Sequence, residues 1–158
     1  MGGSILGVNV WKRAATGVDR VWVYGNSFYF SNTSGNAYGV WFNGADVANS
    51  IARNNLLVAP SIAGRQVYVD SGTGNTGSNN TGTGSDPGWA TYPPTVAAHV
   101  ALALGSGQID AGYTVPALAD YAGKSRIGLT YDIGAYEYGA SDPVPSGVGT
   151  RLVLVRRN

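Results

Sequence analysis

No cysteine occurs among the 158 residues, and histidine and methionine occur once each. The missing cysteines remove disulfides, thiolate metal sites and cysteine nucleophiles together, and leave the redox compartment undecided. One histidine excludes a histidine metal cluster, and any serine–histidine–carboxylate triad would have to be built on His99. His99 lies among alanines and valines with no neighbouring carboxylate to orient it, so it reads as a structural histidine. Charge is scarce as well. Only 12% of residues are charged and the formal net charge is +1, which offers no electrostatic footprint for nucleic acid or an anionic membrane. No apolar run approaches a membrane span, and the first residues lack the basic and apolar regions of a signal peptide. The nine acidic residues are scattered singly. Asp19 and Asp46 are spaced to share one edge of a repeat, which reads as a turn pairing, and no catalytic residue, metal ligand set or cofactor site is expected.

What is abundant is glycine, 24 residues without a Gly-X-Y period, together with Asn, Ser and Thr between short β-branched and aromatic runs. That is strand and turn chemistry without helical periodicity. The runs also repeat. Residues 23–30 lie over residues 51–58 at an offset of 28, placing Asn26 on Asn54, and residues 39–43 lie over 66–70 at an offset of 27. Such periods indicate a stacked repeat in which parallel strands bury a core that no single copy could bury, with Asn26 and Asn54 as one step of a side-chain ladder. A β-sandwich is disfavoured, because its strands have no reason to recur at this spacing.

Strands are expected over residues 5–11, 20–24, 27–31, 38–43, 48–52, 56–59, 66–70 and 131–138. The first reads as the end of an incomplete coil, so that the chain would begin within the stack. Residues 71–88 are too poor in apolar side chains to continue the core and read as a long exposed loop, or a binding loop. Sequons at Asn32 and Asn79 suit a surface position. Residues 94–104 carry Val96, Val100 and Leu104 at four-residue spacing and can form a helix capped by Thr95. A Pro, Ser and Gly spacer then leads to an apolar strand, Leu152, Val153, Leu154 and Val155, bracketed by arginines.

The strings IDAG (109–112), AGKSRIG (122–128) and YDIGAYEY (131–138) together resemble the closing segment of right-handed parallel β-helix proteins, the pectate-lyase-like superfamily that includes secreted surface proteins and bacteriophage spikes. The resemblance spans roughly residues 20–139 and implies a fold: an all-β, short right-handed parallel β-helix of about two to three coils with a C-terminal capping segment. Residues 1–139 would form the helix and cap, and residues 140–158 a linker and extra strand for oligomer or partner contact. Within the closing motif, Asp110, Arg126, Asp132 and Glu137 are expected to pin the cap, an arginine held by carboxylates through paired hydrogen bonds.

So short a coil would leave strand edges exposed, and Leu152 to Val155 offers another, so interfaces are expected with like chains or with other virion or surface proteins. The function expected is that of a structural virion or extracellular-surface protein, a phage spike, fibre or capsid-decoration component acting as a homo-oligomer. The alternative is a carbohydrate-binding or polysaccharide-cleaving module. Outward aromatics, Trp22, Tyr24, Trp41 and Tyr68, would stack on sugar rings if they are not buried against neighbouring subunits.

Overall fold

A computed structural model describes residues 5–11, 17–31, 35–116 and 119–140. The expected interface residues Leu152, Val153, Leu154 and Val155 and the sequon at Asn32 lie outside them.

The same order of strands recurs at three successive levels. The first level holds β1 (Ile5–Trp11), β2 (Val18–Asp19), β3 (Trp22–Tyr24) and β4 (Ser27–Tyr29). The second holds β5 (Asn36–Asn43), β6 (Val47–Ala48), β7 (Ile51–Arg53) and β8 (Leu56–Val58), and the third β9 (Gly64–Asp70), β10 (Thr76–Ser78) and β11 (Thr81–Thr83). All pairing between levels is parallel, in the orders β1-β5-β9, β3-β7-β10, β4-β8-β11 and β2-β6, and a bridge from Ala48 to Thr73 carries the last column to the third level. The described chain is all-β, with parallel sheets and no closed barrel. Ile5–Trp11 belongs to a first level with strands in all four columns, not to the end of an incomplete coil.

Short strands need frequent corners, and a repeated two-residue device supplies them. Arg20, Asn49 and Gly74 at one corner, and Gly25, Asn54 and Asn79 at the next, all have positive φ, between 50° and 67°. Glycine and asparagine suit this left-handed conformation, and Arg20 is the exception. The following residue at the second corner is asparagine at every level: Asn26, Asn55 and Asn80. Asn26 donates from its backbone N and Nδ2 to Asn55 Oδ1 (3.2 and 2.9 Å), and Asn55 donates in the same way to Asn80 Oδ1 (3.1 and 2.9 Å). Asn55 and Asn80 also donate to the backbone oxygens of Val23 and Ala52. The amide of Asn55 thereby satisfies the backbone N of Asn26 and adds a bond to the backbone O of Val23.

This corner corrects the expected register. Trp22 pairs with Ile51 and Phe28 with Leu57, an offset of 29, so Asn26 meets Asn55 and not Asn54. Trp41 pairs with Val69, an offset of 28 where 27 was expected. A one-residue slip exchanges the two faces of a strand. Residues 48–52, expected as one strand, are likewise divided between β6 and β7 by the corner at Asn49 and Ser50.

Residues 71–88, expected as a loop, contain β10 and β11. The interior explains how so few apolar side chains suffice. One inward column runs Val23, Ala52, Gly77 and its neighbour Phe28, Leu57, Gly82, shrinking toward the third level. The facing column Val8, Val40, Tyr68 grows. A Cβ on Gly77 would meet the Tyr68 ring at 2.4 Å, so tyrosine occupies the room that glycine leaves. At the first level the reverse holds, and the Phe28 ring lies over Gly7.

Leu56 and Val58 face the other way, into a second apolar cluster with Trp89, Leu102 and Ile133. β8 is therefore buried on both faces, as its continuous apolar run requires. The covering segment carries no strand at 131–138, and residues 94–104 form only a 3₁₀ turn, Ala97–Val100. Val96 and Leu104 are exposed, so their spacing marks no buried stripe.

Asn55→Ala removes the middle of the ladder and leaves several buried groups unpaired, each costing about 1–3 kcal/mol. The expected loss in urea unfolding is about 3 kcal/mol or more with an unchanged m-value. A loss below about 1 kcal/mol would show that the ladder is not what holds the levels.

Candidate functional site

The structure separates the four expected sugar-stacking aromatics. Trp22 and Tyr24 lie on the outer face of β3, their rings stacked at 6.5 Å and 22°. Trp41 is on the outer face of another sheet beside Tyr38, with Nε1 toward Ser71 Oγ at 3.4 Å. Tyr68 points inward, edge-on to Phe42 at 5.8 Å, because it continues the Val8 and Val40 column. Burial, with the neighbouring Asp70 carboxylate adding to it, pushes its hydroxyl pKa up to about 12. Tyr68 is thus part of the filling of the stack and is separated from the outward face of Trp22 and Tyr24.

Two residues that the sequence reading passed over complete the face begun by Trp22 and Tyr24. Arg53 stands above Tyr24 in the β3-β7 pairing, and its guanidinium sits 4.7 Å over the ring of Tyr113. Burial raises the Tyr24 hydroxyl pKa, and the Arg53 charge opposes that rise. Tyr113 is 54% exposed yet fixed: Asn54 Oδ1 accepts from its backbone N at 2.8 Å, and Asn54 Nδ2 donates to its backbone O at 2.6 Å. The buried, left-handed corner residue Asn54 therefore presents an exposed ring to solvent. Only the Asn-Asn pair hinted at this division, the first residue turned outward and the second inward.

The closing motif does not sit across the end of the stack. It lies along its side, bonded to the corner at each level: Ala135 N to Ser27 Oγ (3.0 Å), Gly134 N to Asn54 O (2.8 Å) and Asn79 Nδ2 to Ala111 O (3.0 Å). Close approach at Gly134 has a steric reason, since a Cβ there would meet Ser27 Oγ at 2.8 Å.

Of the four expected pinning residues, Arg126, Asp132 and Glu137 meet in a buried cluster. Arg126 Nη1 pairs with Glu137 Oε2 at 3.1 Å, with side chains 3% and 1% exposed, and Arg126 Nη2 donates to Gly134 O. Asp110 joins through its backbone N, which donates to Asp132 Oδ1 at 2.8 Å. Asp120, not anticipated, is the further member, and the turn chemistry of an Asp three residues before a left-handed Gly123 was its signal.

The oxygens of these three carboxylates are all engaged. Asp120 accepts from the backbone N of Lys124 and of Glu137, and Asp132 from Asp110 and Tyr138. Glu137 Oε1 accepts from Ile127 N, and Oε2 from Arg126 and from Asp132 N. A cavity of ≈ 310 Å³ bordered by Asp120, Lys124 and Glu137 adjoins the cluster. Arg126, Asp120, Asp132 and Glu137 thus tie the turns of this segment together as a clasp.

Elsewhere, Asp19 pairs in register with Ala48, not Asp46, and its carboxylate holds Arg20 at 3.1 Å and Asn49 at 2.9 Å. His99 Nδ1 accepts from Thr95 N at 3.2 Å. Among the described residues no group of three or more His, Asp or Glu is placed to hold a metal ion, and no helix is long and apolar enough to cross a membrane. Comparison with protein-family models, curated proteins and solved structures finds no match to this chain.

Burial raises the pKa of both Asp132 and Glu137, against backbone donors and the Arg126 charge that lower it. The folded state therefore holds protons that the unfolded chain releases. Their stabilising contribution is fully present below the ordinary carboxylate pKa and is lost as pH rises through the raised one. Urea midpoints measured across about pH 4–7 are expected to show a smaller fall for Glu137→Gln than for the wild type. Equal slopes would mean that Glu137 does not titrate high.

Proposed function

We propose that this chain is a short right-handed parallel β-helix that works by assembly, as a structural component of a virion or extracellular surface such as a spike, fibre or capsid-decoration subunit. The observation that carries this reading is the uncovered third level. Among the described residues no further strand pairs with β9, β10 or β11, and together they border a concavity of ≈ 440 Å³ in which Gly77 and Gly82 are exposed. An open row of backbone donors and acceptors is a template for another chain. The three-level parallel recurrence supports the helix, and the strong preference of parallel crossovers for the right hand supports its handedness. The surface setting draws its support from the resemblance of the closing motif.

Light scattering on the purified chain is expected to give the mass of a stable homo-oligomer. A monomer at every accessible concentration would remove the assembly reading.

A second reading, a carbohydrate-binding module, is favoured by the contiguous face of Trp22, Tyr24, Arg53 and Tyr113, since stacked, fixed rings beside a hydrogen-bond donor suit a pyranose. Binding fits this face better than cleavage, because Trp22, Tyr24, Arg53 and Tyr113 bring no carboxylate to it. Titration with polysaccharides is expected to quench tryptophan fluorescence in the wild type and in Trp41→Ala, and to lose its effect in Trp22→Ala. Quenching that survives Trp22→Ala but not Trp41→Ala would place the contact on the other sheet.

A further inference from the structure

We propose that copies of this chain add head to tail, the third level of one copy receiving the first level of the next, so that strands and asparagine ladder run on across the junction. This rests on the assembly reading above and specifies its geometry.

The two ends of the stack match. β9 and β1 are each seven residues long, and β10 and β3, like β11 and β4, are each three. The corner between the short strands is the same at both ends, a left-handed residue (Asn79, Gly25) followed by asparagine (Asn80, Asn26).

The ladder is also polar. Each asparagine donates to the Oδ1 of the next level, from Asn26 to Asn55 to Asn80. Among the described residues, nothing donates to Asn26 Oδ1 at one end, and the backbone N of Asn80 has no acceptor at the other. Head-to-tail addition sets that donor against that acceptor. A head-to-head contact opposes two acceptors, and a tail-to-tail contact two donors.

Shape agrees with polarity. The columns that end in Gly77 and Gly82 begin with Val23 and Phe28, so the glycine-lined concavity faces larger inward side chains of the added copy. At the other corner Asn75 would meet Val21, which offers no side-chain acceptor, so register is set at the Asn80–Asn26 corner. A heterologous contact of this kind does not close on itself and yields linear assemblies, advancing about 14 Å per copy from three levels of about 4.8 Å.

The absence of native cysteine makes a direct test simple. Trp22 and Thr76 occupy one column at the first and third levels, with Ile51 between them. Within a chain they are two strand spacings apart, about 9.6 Å, beyond the roughly 7 Å that a disulfide spans. Across the proposed junction they are one spacing apart, about 4.8 Å, and within reach. Mild oxidation of Trp22→Cys/Thr76→Cys is expected to give a ladder of covalent multimers reversed by reductant, while each single variant stays uncrosslinked. The pair Tyr24→Cys/Ser78→Cys, in the neighbouring column, repeats the test should the first variant misfold. Gly82→Lys, whose Cβ meets nothing nearer than Val67 at 3.8 Å, is expected to abolish the high-mass species without unfolding the chain. An oligomer that forms no ladder, or crosslinking in Thr76→Cys alone, would overturn the head-to-tail geometry and leave assembly standing. A monomeric mass would overturn both.

Discussion

One recurring bond ties the three levels at their shared corner, the side-chain amide of an asparagine closing onto the next level between the backbone bonds that flank it. Parallel strands of three residues contribute few ladder bonds, and each corner leaves buried amide groups that would otherwise lack partners. Asn55, completely buried, accepts from one level and donates to both neighbours. Hydrophobic packing already sets which face of each strand turns inward, and the shared amide adds a polar tie at the corner that a slip would break. The corner's left-handed residue is equally necessary, since it turns one side chain out and the next one in.

Much of this was legible in the residues, and what was not failed for identifiable reasons. The recurrence of apolar runs near 28 residues revealed stacked strands, because inward columns must be apolar at every level that has neighbours above and below. The register was missed by one because Asn54 and Asn55 are chemically identical, and only their backbone conformations assign one to the flank and the other to the ladder. The third level was hidden for a different reason. Gly77 and Gly82 carry no hydropathy signal, and their room is taken by Tyr68 and Val67 from the opposite wall. Interior volume is conserved around a level, so a single strand can look like a loop.

The aromatic face shows the same limit. Trp22 and Tyr24 were visible as neighbours two apart on a strand, which places them on one side whatever the register. Tyr113 was not, since it lies 59 residues from the Asn54 amide that holds it. The clasp was more readable: Arg126, Asp132 and Glu137 belong to one motif, although backbone N–H groups, which no sequence pattern displays, also donate to the carboxylates. Nothing in the motif's strings indicated that the segment runs along the stack and not over its end.

That lateral course makes the flanking segment a ruler. It is bonded in turn to Ser27, Asn54 and Asn79, one residue at or beside the corner of each level, and the clasp ties its own turns together. Levels could not be gained or lost independently of it: an inserted coil would push Ser27 and Asn79 one strand spacing further apart and break the clasp's alignment with the corner. The number of levels among the described residues is thus encoded twice, once in the repeats and once in a flanking segment that does not share them.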